Sequence, residues 1–152
     1  MKLLLVTDAW KPQVNGVVRS YINTIPELEK MGMEVQVIHP ELFKLRFSLP
    51  SYNEIKIVVT RQKTLKHMIK SAKADHIHIA TEGPLGFLAR NICLKDDIAF
   101  TTSFHTRFPE YIQKRTKIPA SFFYFFIRKF HNKAKKVLVP TPSMQEELIK
   151  RK

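Results

Sequence analysis

Residues Lys2–His39 read KLLLVTDAWKPQVNGVVRSYINTIPELEKMGMEVQVIH, and they divide into four pieces with different periodicities. Lys2–Thr7 is a short apolar run of strand length. Asp8–Gly16 is a polar loop. Val17–Met31 places Val18, Tyr21, Ile22, Ile25 and Leu28 at helical spacing, with Gly32 positioned to end the helix and Pro26 expected to kink it. Glu34–His39 returns to a strand pattern. A strand, a loop of nine residues and a helix that leads into a second strand form a β–α–β unit, which calls for a parallel pair.

The same alternation continues outward. Pro40–Ile55 reads as a long loop and Lys56–Thr60 as a third strand. A helix over Lys63–Lys73, a strand at His76–Ala80, a helix from Pro84 to Lys95 and a strand at Ile98–Thr102 follow. Helical sequence from Ala120 to Lys135, a strand at Val137–Pro140 and a helix from Ser143 complete the pattern. The expected class is therefore α/β, a Rossmann-like parallel sheet with helices on both faces. In such sheets, sites lie in the loops at the C-terminal ends of the strands.

Composition narrows the function. The 152 residues carry 26 Lys+Arg and 13 Asp+Glu, a net charge of +13, with 44% hydrophobic content. That is enough apolar surface for one packed domain and too much for a disordered tail. No apolar run approaches the ~20 residues of a membrane span. The opening Met1–Val6 meets Asp8 too early for a secretory leader, so a cytoplasmic protein is expected. The single cysteine, Cys93, excludes an internal disulfide and a cysteine-rich metal site, and reads as a small core residue.

Three strand-end loops carry chemistry-bearing residues. In the first, Asn15-Gly16 opens a helix, where free amides and the helix dipole favour an anion; a plain helix cap is the more ordinary explanation of the pair. In the second, Thr81–Gly86, Glu82 either binds hydroxyls or caps its helix. The third, Thr101–Tyr111, gathers His105, Arg107, Glu110 and Tyr111, and His105 reads as either structural or functional. No Walker loop, G-x-S-x-G elbow or H-E-x-x-H zinc motif is present, and His76/His78 lack a nearby third ligand.

Taken together, TDAWKPQVNGVVRS (7–20), HIATEGPLG (78–86), TSFHTRFPEY (102–111) and FHNKAKKVLVPTPSM (130–144) resemble the N-terminal domain of family 4 glycosyltransferases. The match looks closest to the GDP-mannose-dependent alpha-mannosyltransferase and sulfoquinovosyltransferase-like group. The resemblance implies a GT-B enzyme, in which two Rossmann-like domains face each other across a cleft. The N-terminal domain holds the acceptor and the C-terminal domain the nucleotide-sugar donor, GDP- or UDP-linked. By this resemblance, Asn15 and Gly16 meet the donor diphosphate, His105 sits at the reacting centre, and Asp8, Glu82, Gly83, Arg107 and Tyr111 line the acceptor side. It further implies retention of configuration with neither metal nor cofactor, and a lipid or glycan acceptor.

Family members are about twice this length, in line with two domains. The paired glutamates and phosphate-clamping cations of their donor half have no counterpart in these residues. The expectation is therefore an isolated half, inactive by itself, from a shortened product or one subunit of a split enzyme. The alternative is a non-catalytic or membrane-docking module that needs a separate donor-binding subunit.

Eleven of the cations lie between Tyr111 and Lys152, around FFYFFIRKFHNKAKK (122–136). On a helical wheel Phe122, Phe123, Phe126, Ile127, Phe130 and Ala134 share an arc of about 140°. One reading is a core-packed helix with a solvated lysine face. The other is an interfacial helix at the inner face of a membrane, with Tyr124 and Phe125 entering lipid and Arg128, Lys129, Lys135 and Lys136 meeting anionic headgroups. Nucleic acid is the third and least favoured reading, because no recognition module or base-stacking signature accompanies the charge.

Overall fold

A computed structural model of the protein describes residues 1–49, 52–105 and 120–150. The β–α–β unit of the N-terminus forms as its periodicity requires: β1 (Lys2–Val6), α1 (Gly16–Lys30) and β2 (Glu34–Ile38). β1 and β2 pair in parallel from Lys2 opposite Glu34 to Val6 opposite Ile38. Asn15 caps α1 by accepting the Val18 amide at 3.0 Å, and the helix continues through Pro26. Gly32 follows it at φ +81°, a conformation that suits a residue without Cβ.

The segment expected to be a long loop is not one. It holds a 3₁₀ turn at Pro40–Leu42 and two strands, β3 (Arg46–Leu49) and β4 (Tyr52–Val58). β4 takes up most of the expected third strand, yet it stays out of the parallel sheet and pairs antiparallel with β3. Buried Phe43 and Val58 pin this ribbon to the core, and Arg46 joins it to Glu41 at 2.8 Å. A hairpin needs only a short reversal between its strands, so local pairing wins over a crossover.

The remaining elements are α2 (Gln62–Ala72), β5 (His76–Ile79), α3 (Pro84–Lys95), β6 (Phe100–Ser103), α4 (Ala120–His131), β7 (Lys136–Leu138) and α5 (Pro142–Lys150). The main sheet has the order β2-β1-β5-β6-β7, and every pair in it is parallel. The α/β Rossmann-like class is thus the observed one.

Strand alternation sends successive side chains to opposite faces. Leu4, Val6, Ile77, Ile79 and Phe100 join Leu65 and Ile69 of α2, Leu85, Ala89, Ile92 and Cys93 of α3, and Phe130 of α4 in one buried cluster. Each fully buried Leu, Ile or Phe contributes about 1.5–3 kcal/mol relative to exposure. Cys93 is a core residue here, and burial pushes its thiol up to about 11. On the opposite face Leu3, Leu5, Val35, His78, Thr101 and Ser103 look toward α1 across a groove of about 460 Å³.

The α4 helix corrects one part of the sequence reading. Its buried side carries Tyr124, Ile127, Phe130 and His131, while Phe125 and Phe126 are 57% and 42% exposed. Tyr124 is thus not a membrane-facing residue, and Phe126 takes an outward place instead. Among the described residues, the buried positions centre about 70° away from the most apolar arc. Polar partners inside the fold draw His131 inward, and an apolarity count does not register them. Phe125, Arg128, Lys129, Lys135 and Lys136 do lie at the surface. Among the described residues no helix is long and apolar enough to cross a membrane.

Candidate active site

The C-terminal ends of β1, β5 and β6 bring three of the singled-out segments together. Asp8 follows β1, and its carboxylate reaches across to the start of α3. Oδ1 accepts the Leu85 amide at 2.8 Å; Oδ2 accepts the Gly86 amide at 3.0 Å and the Thr81 hydroxyl at 2.9 Å. Asp8, not Glu82, therefore caps this helix, from 77 residues away. Burial pushes its carboxyl above the ordinary value, against these three donors, and the Glu82 charge adds to the push.

Gly83 is explained by the same contact. A Cβ there would overlap the Asp8 carboxyl carbon, and one at Gly86 would overlap the Thr81 carbonyl oxygen. Both glycines let the Asp8 carboxylate and the preceding loop sit against the first turn of α3.

Glu82 turns the other way. His131 Nε2 donates to its Oε1 at 3.1 Å, and His131 Nδ1 lies 2.8 Å from Thr102 Oγ1. Arg90 of α3, only 6% exposed, donates to the carbonyls of Lys129 and Phe130, securing the C-terminal end of α4. The sequence pattern does not signal His131 and Arg90, because their partners lie on other elements.

His105, just past β6, is half-buried, and its Nε2 stands 3.0 Å from the Tyr21 hydroxyl of α1. The same hydroxyl donates to Ser103 Oγ at 3.2 Å and lies 3.1 Å from His78 Nε2. Burial lowers the His105 pKa, with the Glu82 charge opposing, and pushes His78 down to about 4. Both rings are neutral at pH 7. Burial also pushes the Tyr21 phenol up to about 12. Tyr21, His78 and Ser103 are not among the site residues that the sequence motifs single out. The one visible signal is the pattern HIHI at 76–79, where a polar residue recurs inside a buried strand.

Asn15 is occupied as a cap, and its Nδ2 donates to Gln13 at 3.3 Å. Gly16 is exposed at the first turn of α1, with open space where a side chain would stand. Its backbone can approach a ligand without obstruction. Arg107 and Tyr111 lie outside the described residues. Among the described residues no three metal-ligating side chains converge.

An anchored imidazole on one strand-end loop and an exposed helix N-terminus after another suit a substrate with both hydroxyls and a phosphate. The sequence matches Glycosyltransferase Family 4 over residues 14–152. The chain belongs to this family. It is also 27% identical over 173 aligned positions to the alpha-monoglucosyldiacylglycerol synthase of Acholeplasma laidlawii, a match that covers all of this chain and 44% of that relative. This family 4 chain thus spans less than half the length of the curated relative it matches, and its fold and membership make it a glycosyltransferase-type domain.

Proposed function

We propose that this domain is the acceptor-side half of a retaining hexosyltransferase that moves a sugar from a nucleotide-sugar to a lipid acceptor of the diacylglycerol class. The observation that carries the reading is His105, held neutral at a strand end within the family 4 domain. The name of the A. laidlawii relative supports glucose and a diacylglycerol lipid. The motif resemblance supports a mannosyl or sulfoquinovosyl donor instead. All are hexoses on a diphosphate, so the roles assigned below hold for each.

In this reading the amides at the start of α1, from Gly16, meet the donor diphosphate, where the dipole favours negative charge. His105 hydrogen-bonds the sugar and orients it at the reacting centre. Glu82, fixed by His131, faces the acceptor. Catalysis rests on positioning and on stabilising the departing diphosphate, without an enzyme nucleophile or a metal. Residues 1–152 bind the acceptor and need a donor-binding half for turnover.

The exposed Phe125 and Phe126, with ring centroids 5.6 Å apart, stand among the exposed cations Arg128, Lys129, Lys135 and Lys136. That combination favours docking on an anionic membrane at its inner face, which brings the site to a lipid acceptor.

The test joins the chain to the donor-binding half of the A. laidlawii relative and presents vesicles with diacylglycerol and anionic lipid. Labelled UDP-glucose, GDP-mannose and UDP-sulfoquinovose are supplied in turn. The expected result is a glycolipid from one donor, and a loss of at least ~100-fold in kcat for His105→Ala. Normal turnover in that variant removes His105 from the chemistry, and transfer only to soluble glycans removes the lipid acceptor. Loss of vesicle co-sedimentation in Phe125→Asp supports the docking face; unchanged sedimentation refutes it.

A further inference from the structure

On the open face of the sheet, five side chains from α1, β5, β6 and the loop after β6 form one connected hydrogen-bond chain, and its direction can be read bond by bond. A phenol has a single hydrogen. The geometry at Tyr21 makes it the donor to Ser103 Oγ at 3.2 Å, and His78 Nε2 lies on that same side, 3.1 Å from the phenol oxygen and 2.8 Å from Ser103 Oγ. With its hydrogen spent there, the Tyr21 oxygen can only accept from His105 Nε2 at 3.0 Å, so that nitrogen carries the hydrogen.

The rest of the chain agrees. Ser103, which receives the Tyr21 hydrogen, passes its own to His78 Nε2 at 2.8 Å. The His78 hydrogen is then on Nδ1, directed at Thr101 Oγ1, 2.7 Å away. The Thr101 hydroxyl points on to the Ile77 carbonyl at 3.5 Å, the longest link. Every hydrogen is used once, and each acceptor along the chain has a donor.

We propose that Tyr21, oriented by His78, Ser103 and Thr101, is a positioning residue that locks His105 in its Nε2–H tautomer, leaving Nδ1 to accept a hydrogen bond from a substrate hydroxyl. The proposal rests on the reading of His105 as the residue at the reacting centre. It assigns that residue an acceptor role, so the ligand group it recognises is an O–H of the sugar or of the acceptor alcohol.

The surroundings meet the conditions of this arrangement. The chain needs both imidazoles neutral, and burial lowers both; His78 is 6% exposed. Glu82 is the charged group acting on His105 in the opposite sense. Phenylalanine at position 21 would fill the same space and pack the same ring, so the hydroxyl alone carries the positioning role.

The experiment is side-chain 15N NMR of the histidines in the intact chain at pH 7, with His78→Gln and His105→Gln variants used for assignment. The expected result is a hydrogen on Nε2 of His105 and on Nδ1 of His78. Thr101→Val provides a long-range test, because Thr101 receives the His78 hydrogen and acts on Tyr21 and His105 through that ring. Its loss should move that hydrogen to His78 Nε2, turn the Tyr21 hydroxyl toward His105, and shift His105 to the Nδ1–H form. Tyr21→Phe should leave His78 unchanged and give His105 a mixture of tautomers. If either variant fails to fold by circular dichroism, the other carries the test.

A His105 Nδ1–H form in the unmodified chain overturns the proposal. So does a His105 tautomer indifferent to both substitutions. Expected tautomers combined with normal transfer by His105→Ala in the joined enzyme would instead remove the reacting-centre reading and leave the hydrogen-bond order standing.

Discussion

The two faces of the main sheet are built from the same strands and differ in what covers them. Beneath α2, α3 and α4, the side chains of β1, β5 and β6 are Leu4, Val6, Ile77, Ile79 and Phe100, closed into a continuous apolar core. Beneath α1, the alternate positions of those strands carry Leu3, Leu5, His78, Thr101 and Ser103, and they border an open groove. The covered face holds the fold together. The open face holds a polar chain in low-dielectric surroundings, where hydrogen bonds are strong and an unmade one is costly. A single period-2 pattern separates stability from chemistry.

Substitutions on each face sharpen or break that division. The largest effect is expected on the closed face. Phe130, fully buried and edge-on to Phe87 at 4.8 Å, should lose about 3–5 kcal/mol of stability when changed to Ala, measured by urea unfolding. A loss below ~1 kcal/mol would mean this face relaxes freely and the comparison fails.

The open face should reveal itself through pH. The folded-state pKa of His78 is depressed to about 4, so the unfolded chain binds more protons than the native one between that value and ~6.5. The neutral-ring contribution is therefore complete above ~6.5, and up to about 3 kcal/mol is lost as pH falls toward 4. Unfolding of His78→Gln should be flatter than that of the unmodified chain over this window. Equal slopes would show that His78 is not held neutral.

Smaller is the loss expected at the boundary between the faces. Asp8→Ala leaves the Leu85 and Gly86 amides without their acceptor, which costs about 1–3 kcal/mol in thermal or urea unfolding. Gly83→Ala should also destabilise by forcing the Asp8 carboxyl away. If Asp8→Ala were neutral in stability but abolished transfer, Asp8 would be a substrate residue and not a cap.

The smallest effect belongs to the surface. Lys66 and Lys70, at 2.6 and 3.1 Å, hold the Asp96 carboxyl below its ordinary pKa. Their contribution is present above the unfolded carboxylate value of ~3.9 and fades as pH falls through the lower folded one. Lys66→Ala should trim acid stability slightly, and the difference should shrink in high salt.

Much of this architecture is legible in the amino-acid pattern. KLLLVT and EVQVIH are strands because short apolar runs bounded by polar loops have few other uses, and PLGFLARNICLK is a helix because its proline stands in the first turn, where no amide is needed. The hairpin at Arg46–Val58 is hidden because its proline and aromatics imitate a loop. The phase of α4 is misleading because a hydrophobic arc ranks Phe126 above Tyr124 and His131, whereas the fold offers His131 two polar partners. His105 is visible as a residue. Its partner Tyr21 looks like any other apolar-face position of an amphipathic helix.

The sequence by itself determined the α/β alternation, the strand-end location of the motif loops and the family they belong to, since periodicity and loop motifs are local properties of the chain. The tertiary structure alone decided which sheet face is closed, that Asp8 caps a helix, and which side chains surround His105. Tyr21 meets its three partners across 57, 82 and 84 residues of chain. Contacts at that separation exist only after the sheet has assembled, and no local pattern encodes them.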